Sequence, residues 1–516
     1  MIIETFVTQA ELRPNALAVE HAGISIDYST LLGRSSAFAR RLNALGIGHN
    51  DRVALALPKS IEALTCLIGV MMTGAAYVPL DARQPEARIG RSLHDCEPRA
   101  IVTTPRLLER LLAIEPSLRK GIQALITHRT CQIPGAIEHD FTQQESTFRP
   151  TTSITPDSPA YILYTSGSTG EPKGVVHSVN SAAQFVDWAV RTFRLDSSQV
   201  LANFAEFSFD LSILDLFGAL TTGASVHLVQ AEMLLRPKEL VRKLDEWGTT
   251  LLYAVPSAIS LLESDGNLVE HAPARLARVL YAGEPFPVRQ LTRVMNALPQ
   301  AKFFNLYGPT ETNVCTYHAL SDVPCEGTTQ IPIGKSCEHL TVEVLDDRGQ
   351  RAKIGDEGEV CVAGPSVMSG YFRRPDSNKE AFFDQTLFSD ARARYRTGDR
   401  ARIDQSGLFW FLGRHDRLVK KRGYRIELGE IEAALSQSMS VREAVAYSVK
   451  VEDGIRVNAA VALHESEQPS VLTLKAQCGR LLPPYMVPDS ILILPKLPRT
   501  PNGKVDLMRL REMSTV

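Results

Sequence analysis

The sequence predicts an α/β protein. A large N-terminal domain should carry mostly parallel sheets flanked by helices, with a β-rich subdomain, followed by a small α+β C-terminal domain. From residue 51 to residue 304, short apolar runs alternate with amphipathic helical patterns, which is the pattern of strand–helix–strand units and parallel sheets. Near residue 331 the texture changes to short strands joined by Asp-Asp-Arg-Gly and Gly-Asp-Glu-Gly turns, the mark of a β-rich unit. Past Gly413 a charged segment leads into a helical pattern and a strand-like run.

The elements follow in order. DRVALALP (51–58) reads as a strand. The uncharged stretch Ala63–Leu80 could be mistaken for a membrane span, but Gly69, Thr73, Gly74 and Pro79 interrupt it. A span needs about 20 mostly apolar residues, so a buried helix capped near Gly74 and a strand AAYVPLD are expected. Further buried strands are expected at 99–104, 224–229, 250–256 and 278–284, with helices at 212–223 and 238–248. The polar, Pro- and Thr-rich stretch 131–159 reads as a surface connection. LGEIEAALSQS (428–438) reads as a helix, VREAVAYSVKV (441–451) as a strand, and the remainder as a Pro-studded tail. These patterns divide the chain into residues 1–413, with the β-rich subdomain at about 331–413, and residues 414–516.

A chain of 516 residues spans about three to four domain-sized units and buries a core without disulfides. Lys+Arg is 56 and Asp+Glu is 58, a net charge of −2, which excludes a globally cationic nucleic-acid coat. Neither a nucleic-acid nor a membrane partner is expected. Eight cysteines at 66, 96, 131, 315, 325, 337, 361 and 478 form no C-x-x-C pair. That spacing argues against a zinc ribbon and suits a reducing, cytoplasmic setting. The start MIIETFVTQAELRP lacks the features of a signal peptide.

The sharpest local signal is YTSGSTGEPKGV, residues 164–175. Its glycines let successive backbone N–H groups converge on one anion, its hydroxyls add donors, and Lys173 adds charge. A Walker loop needs Ser or Thr directly after the Lys, and Gly174 stands there. Gly334-Lys335-Ser336 has only the end of a Walker loop and reads as a turn in the β-rich unit. In NLYGPTET (305–312), a Gly-Pro turn at a strand end exposes the side chains that follow, where α/β sheets bind ligands. Glu311 there could hold a hard cation such as Mg²⁺.

These strings, with YRTGD (395–399), GRHDRLVKKRGYRIELGEIE (413–432) and PNGKVD (501–506), resemble the adenylate-forming superfamily. That superfamily includes acyl-CoA synthetases and the adenylation domains of nonribosomal peptide synthetases. The resemblance runs from IDYSTLL (26–32) and AYVPLD (76–81) to Lys504, and it favours the amino-acid-activating branch. It implies a ligase that uses ATP and Mg²⁺ to form an acyl-adenylate and pyrophosphate, then passes the acyl group to a thiol. The first step brings one anion against another, so positioning and charge neutralisation must do the catalysis.

The resemblance also implies roles. Thr165, Ser166, Gly167, Ser168, Thr169, Gly170 and Lys173 would hold the β- and γ-phosphates. Thr310 and Glu311 would lie at the α-phosphate and the metal, with Lys504 bridging the substrate carboxylate and the nucleotide. Asp399 and Arg414 would hold the ribose. Asn305, Tyr307 and Gly308, with the Gly283-Glu284-Pro285 turn, would form the nucleotide pocket. Asp416 matches a hinge about which a mobile C-terminal domain turns, and Lys420 to Gly423 match the loop that guides a phosphopantetheine arm. Arg400, Leu418, Lys421 and Leu507 depart from the usual pattern without removing a catalytic group.

For the acid, Phe209-Asp210 matches the position where a carboxylate pairs with a substrate ammonium. A charge beside Leu211, Ile213 and Leu214 is costly unless a cation pairs with it. The implied pocket adds Tyr253, Leu280, Ala282, Leu306, Val314 and Cys315. It is apolar with no second charge, so a small or medium aliphatic amino acid is expected. The set resembles that of free-standing enzymes that adenylate L-proline for a separate peptidyl carrier protein. Alanine as substrate, or an acyl-CoA ligase activity, are the alternatives.

Overall fold

A computed structural model describes residues 1–514 except 119–121, 128–132, 134, 146–147, 149–153, 167–171, 385, 387, 391, 415–417, 452–453, 465–468 and 500–504. The predicted Gly167, Ser168, Thr169, Gly170, Asp416 and Lys504 therefore lie outside the described residues.

Two large sheets build the N-terminal domain. The nine-stranded sheet runs in the order Lys335–Ser336, Thr316–Leu320, Lys302–Tyr307, Arg278–Tyr281, Leu251–Ala254, Val200–Asn203, Ser225–Leu228, Leu17–His21 and Ile24–Asp27. Its six central strands are parallel. The eight-stranded sheet holds Arg52–Ala56, Ala76–Pro79, Ala100–Thr103, Ala124–Thr127 and Pro159–Thr165 in parallel. Helices such as Ile61–Met72 and Leu211–Leu220 are buried along their whole length, as expected where a helix is covered by a sheet on one side and a second layer on the other.

The third sheet, from Thr341–Leu345 to Phe409–Arg414, is antiparallel. The smaller C-terminal domain has a two-stranded ribbon, Leu418–Lys421 with Tyr424–Glu427, and a three-stranded sheet with its own core around Ile431, Leu435, Val457, Leu474 and Met486. Arg88 and Glu430 form a buried ion pair of 2.6 Å between the two domains.

Three expectations are corrected. Lys335–Ser336 is an edge strand of the nine-stranded sheet, paired with Thr316 and Tyr317, and not a turn of the β-rich unit. The stretch 131–159 is not only a surface connection. Ala136–Glu138 adds an edge strand to the eight-stranded sheet, and His139 and Phe141 are buried against Phe38. The C-terminal tail is not irregular either: Gly454–Leu463, Val471–Leu481 and Ser490–Leu494 are strand, helix and strand. The region Ala63–Leu80 is a helix followed by a strand, and no described helix is long and apolar enough to cross a membrane. The seven described cysteines are free thiols.

Candidate active site

The site gathers at the carboxyl ends of the parallel strands, where chain after chain of the sheet delivers a residue to one crevice. One pocket there is lined by Phe209, Asp210, Leu211, Tyr253, Ala282, Gly283, Gly308, Thr310, Val314 and Arg414, all expected from the sequence. Leu214, Leu280, Leu306 and Cys315 are buried in the same apolar cluster and back the pocket without lining it.

Asp210 precedes the helix Leu211–Leu220, and its carboxylate makes no capping bond to that helix. It lines the pocket, with the Thr310 hydroxyl and the Leu211 amide as hydrogen-bond partners. Withdrawal from water raises its pKa above the ordinary aspartate value, against the opposing pull of the Thr310 hydroxyl and the Lys420 charge.

Glu311 is fully buried. Tyr371 donates a hydrogen bond to its Oε1 at 2.8 Å, and the Arg425 guanidinium lies 3.0 Å from the same oxygen. Burial works to raise the Glu311 pKa, but the Arg425 charge and the Tyr371 hydroxyl outweigh it and the net shift is downward. The second oxygen, Oε2, is buried with no hydrogen-bond partner among the described residues. A buried carboxylate oxygen left open in this way fits a hard cation.

The strands on either side of the predicted phosphate loop pair with each other. Thr165 stands opposite Lys173 in the antiparallel pairing of Pro159–Thr165 with Lys173–Ser178. The Thr165 hydroxyl is buried without a partner among the described residues, and Ser166 donates to the Arg425 carbonyl at 2.9 Å. The Lys173 ammonium lies over the Tyr371 ring.

Asp399 is fully buried and stands across the antiparallel ribbon from Arg414. Its Oδ1 is 2.5 Å from the Arg414 guanidinium, and its Oδ2 accepts from the Tyr307 hydroxyl at 2.6 Å. Tyr307 is thereby fixed, and Lys420 sits over its ring. Asn305 and Glu284 have framework partners: the Asn305 amide donates to the Pro332 carbonyl, and Glu284 accepts from the Ser257 amide. Pro285 is exposed at the rim of this turn.

Several pocket residues escaped the sequence reading. Phe185, Asn313 and Arg425 line the same pocket, together with Lys420 and Gly423 of the loop expected to guide an arm, so the expectation of a pocket with no second charge is corrected. Burial lowers the Lys420 pKa. Gly423 sits at φ +77°, and a Cβ there would come 2.3 Å from the Val255 Cγ1 atom. Gly283, at φ +94°, packs against Gly423. Only glycine lets the two backbones approach this closely. Of the departures, Lys421 pairs with Asp489 at 2.7 Å inside the C-terminal domain, Arg400 pairs with Glu357, and Leu418 is buried.

Asp210, Glu311 and Asp399 are thus buried carboxylates beside Thr310, Tyr307 and Arg414, the grouping expected of an adenylate-forming enzyme. Residues 6–372 match the AMP-binding enzyme family, and residues 430–504 match the AMP-binding enzyme C-terminal domain. The chain belongs to the AMP-binding enzyme family. It is 35% identical over 500 residues to an L-proline--[L-prolyl-carrier protein] ligase of Pseudomonas fluorescens, covering 96% of each chain. A ligase of the same name from Streptomyces coelicolor is 35% identical over 507 residues, covering 94% of this chain and 91% of the relative. Among solved structures, the amide bond synthetase McbA of Marinactinospora thermotolerans superposes with a TM-score of 0.86 over 99% of both chains, at 22% identity.

Proposed function

We propose that the protein uses ATP and Mg²⁺ to convert L-proline into prolyl-AMP and pyrophosphate, then transfers the prolyl group to the phosphopantetheine thiol of a separate carrier protein. The observation that carries this reading is the buried Asp210 carboxylate, which lines the pocket beside Leu211, Tyr253, Ala282 and Val314. Proline's secondary ammonium offers two N–H donors to that carboxylate, and its compact ring suits Leu211, Ala282 and Val314. The names of the two proline ligases support the same substrate and a carrier as acceptor.

In the first step the proline carboxylate attacks the α-phosphorus and pyrophosphate leaves. Thr165 to Gly170 and Lys173 hold the β- and γ-phosphates, Thr310 the α-phosphate, and Asp399 with Arg414 the ribose. The adenine lies between Tyr307, with Asn305 and Gly308 behind it, and the Gly283-Glu284-Pro285 turn. Glu311 holds Mg²⁺, which when bound neutralises phosphate charge. Lys504 offsets the anion–anion approach. In the second step the thiolate attacks the prolyl carbonyl and AMP leaves.

The packing of the Lys420–Gly423 loop on the amino-acid pocket supports assigning this arrangement to the second step. A cavity of about 820 Å³ supports a route for the arm. It is lined by Leu235, Arg293, Leu261 and Arg422 among others, and reaches Phe209 and Leu211. The C-terminal domain, residues 414–516, moves about a hinge at Asp416 between the steps. The free cysteines support a cytoplasmic, reducing setting.

The test is a loading assay with labelled proline, ATP and Mg²⁺. The expected result is label on phosphopantetheinylated carrier proteins, none on their unmodified forms, and no prolyl-CoA. Efficient prolyl-CoA formation would contradict the carrier assignment and revive the CoA-ligase alternative.

A further inference from the structure

His177 lies in the strand Lys173–Ser178, four residues beyond Lys173, and is fully buried. Its ring stacks on Tyr161 of the neighbouring strand, with centroids 5.0 Å apart and planes at 30°. Its Nε2 is 2.8 Å from the backbone carbonyl oxygen of Thr310, 133 residues away, and its Nδ1 is 3.1 Å from the Ser181 hydroxyl. A carbonyl only accepts, so Nε2 carries the proton. Burial lowers the His177 pKa to about 4, so the ring is neutral.

Thr310 is thus gripped at two points. Its carbonyl takes the His177 N–H, and its hydroxyl faces the Asp210 carboxylate. The next carbonyl, that of Glu311, accepts from the Met368 amide at 2.7 Å. The turn 309–313 follows the strand Lys302–Tyr307, at the nine-stranded sheet, whereas His177 belongs to the eight-stranded sheet. The hydrogen bond therefore ties the strand leaving the phosphate loop on one sheet to the Thr310–Glu311 turn on the other.

We infer that His177 is a positioning residue for adenylate formation. It sets the distance between the groups that hold the β- and γ-phosphates and those that meet the α-phosphate and the metal. A small misplacement between reacting groups costs rate steeply. Thioester transfer uses no β- or γ-phosphate, so it depends on this tie far less. The inference rests on the adenylation reading above.

Two substitutions separate the hydrogen bond from the packing. His177→Gln retains an N–H donor near the Nε2 position and loses the ring. His177→Phe retains the stack on Tyr161 and loses the donor. Both half-reactions are measured: proline-dependent pyrophosphate exchange, and transfer from supplied prolyl-AMP to a phosphopantetheinylated carrier with a free thiol. His177→Phe should lower the exchange kcat by about tenfold or more while transfer changes by less than about threefold, and His177→Gln should retain exchange within about threefold. If His177→Phe is active and His177→Gln is not, packing alone matters and the inference fails. It also fails if both variants lose the two half-reactions equally, or if neither loses exchange. An inactive wild-type protein in the exchange assay would sink the adenylation reading itself, a result distinct from any of these.

Discussion

The Arg425 guanidinium stands 3.0 Å from the Glu311 carboxylate, 114 positions away along the chain. It joins the C-terminal domain to the carboxylate proposed to hold the metal, while the Arg425 carbonyl accepts from Ser166 of the phosphate loop. One residue thus stands against a proposed metal ligand and a proposed phosphate ligand together. This contact supports the proposal that the arrangement is the one used in the second step.

Arg425→Met should therefore slow transfer much more than adenylation. Removing Arg425 leaves the fully buried Glu311 carboxylate without its cation, and that cost falls on the arrangement that contains the pair. Single-turnover transfer from prolyl-AMP should drop by at least about tenfold, with pyrophosphate exchange changed by less than about threefold. Equal losses in both half-reactions would assign Arg425 to general stability.

Asp210→Asn should raise the proline KM sharply and leave the ATP KM nearly unchanged, because the carboxylate is placed for the ammonium. Its raised pKa has two further consequences. A group whose pKa is raised by folding stabilises the fold below its unfolded value and loses that contribution as pH rises through the folded value. At neutral pH the ionised carboxylate therefore destabilises the ligand-free protein, and Asp210→Asn should raise its Tm. Substrate pairing needs the ionised form, so the acid limb of kcat/KM for proline should lie above the ordinary carboxylate range. A lower Tm together with an unchanged proline KM would make Asp210 a structural residue.

Gly423→Ala should block transfer and spare exchange. The added Cβ would meet the Val255 Cγ1 atom at 2.3 Å, at a φ of +77° that only glycine adopts readily. The loss should be about tenfold or more in transfer, partly recovered in a Gly423→Ala, Val255→Ala double variant. A Gly423→Ala enzyme that transfers at the wild-type rate would mean that this close packing is not used in turnover.

The parts legible in the sequence are those written in contiguous strings. The phosphate loop needs glycines and hydroxyls side by side, so it announces itself. The turn at Thr310 and Glu311 reads as an ordinary loop alone and stands out only in combination with that string. Asp210 was reached through the family resemblance, and the cost of a carboxylate among leucines agrees with a cation partner. The parallel strands were legible as short apolar runs. Arg425 on Glu311, His177 on Thr310 and Lys421 on Asp489 were not, because each pair is assembled across a large sequence separation by residues that look solvated in isolation. The strand Ser490–Leu494 was hidden by Pro483, Pro484 and Pro488 just before it, and Ala136–Glu138 by its three-residue length.

The most direct test of the central claim is amino-acid-dependent pyrophosphate exchange with every proteinogenic amino acid and pipecolate. L-proline should give the highest rate. Alanine should be slow and pipecolate partly accepted, because an apolar pocket discriminates by only about 1–3 kcal/mol per methylene. A different amino acid preferred over proline by tenfold or more, about 1.4 kcal/mol in the barrier, would contradict the account.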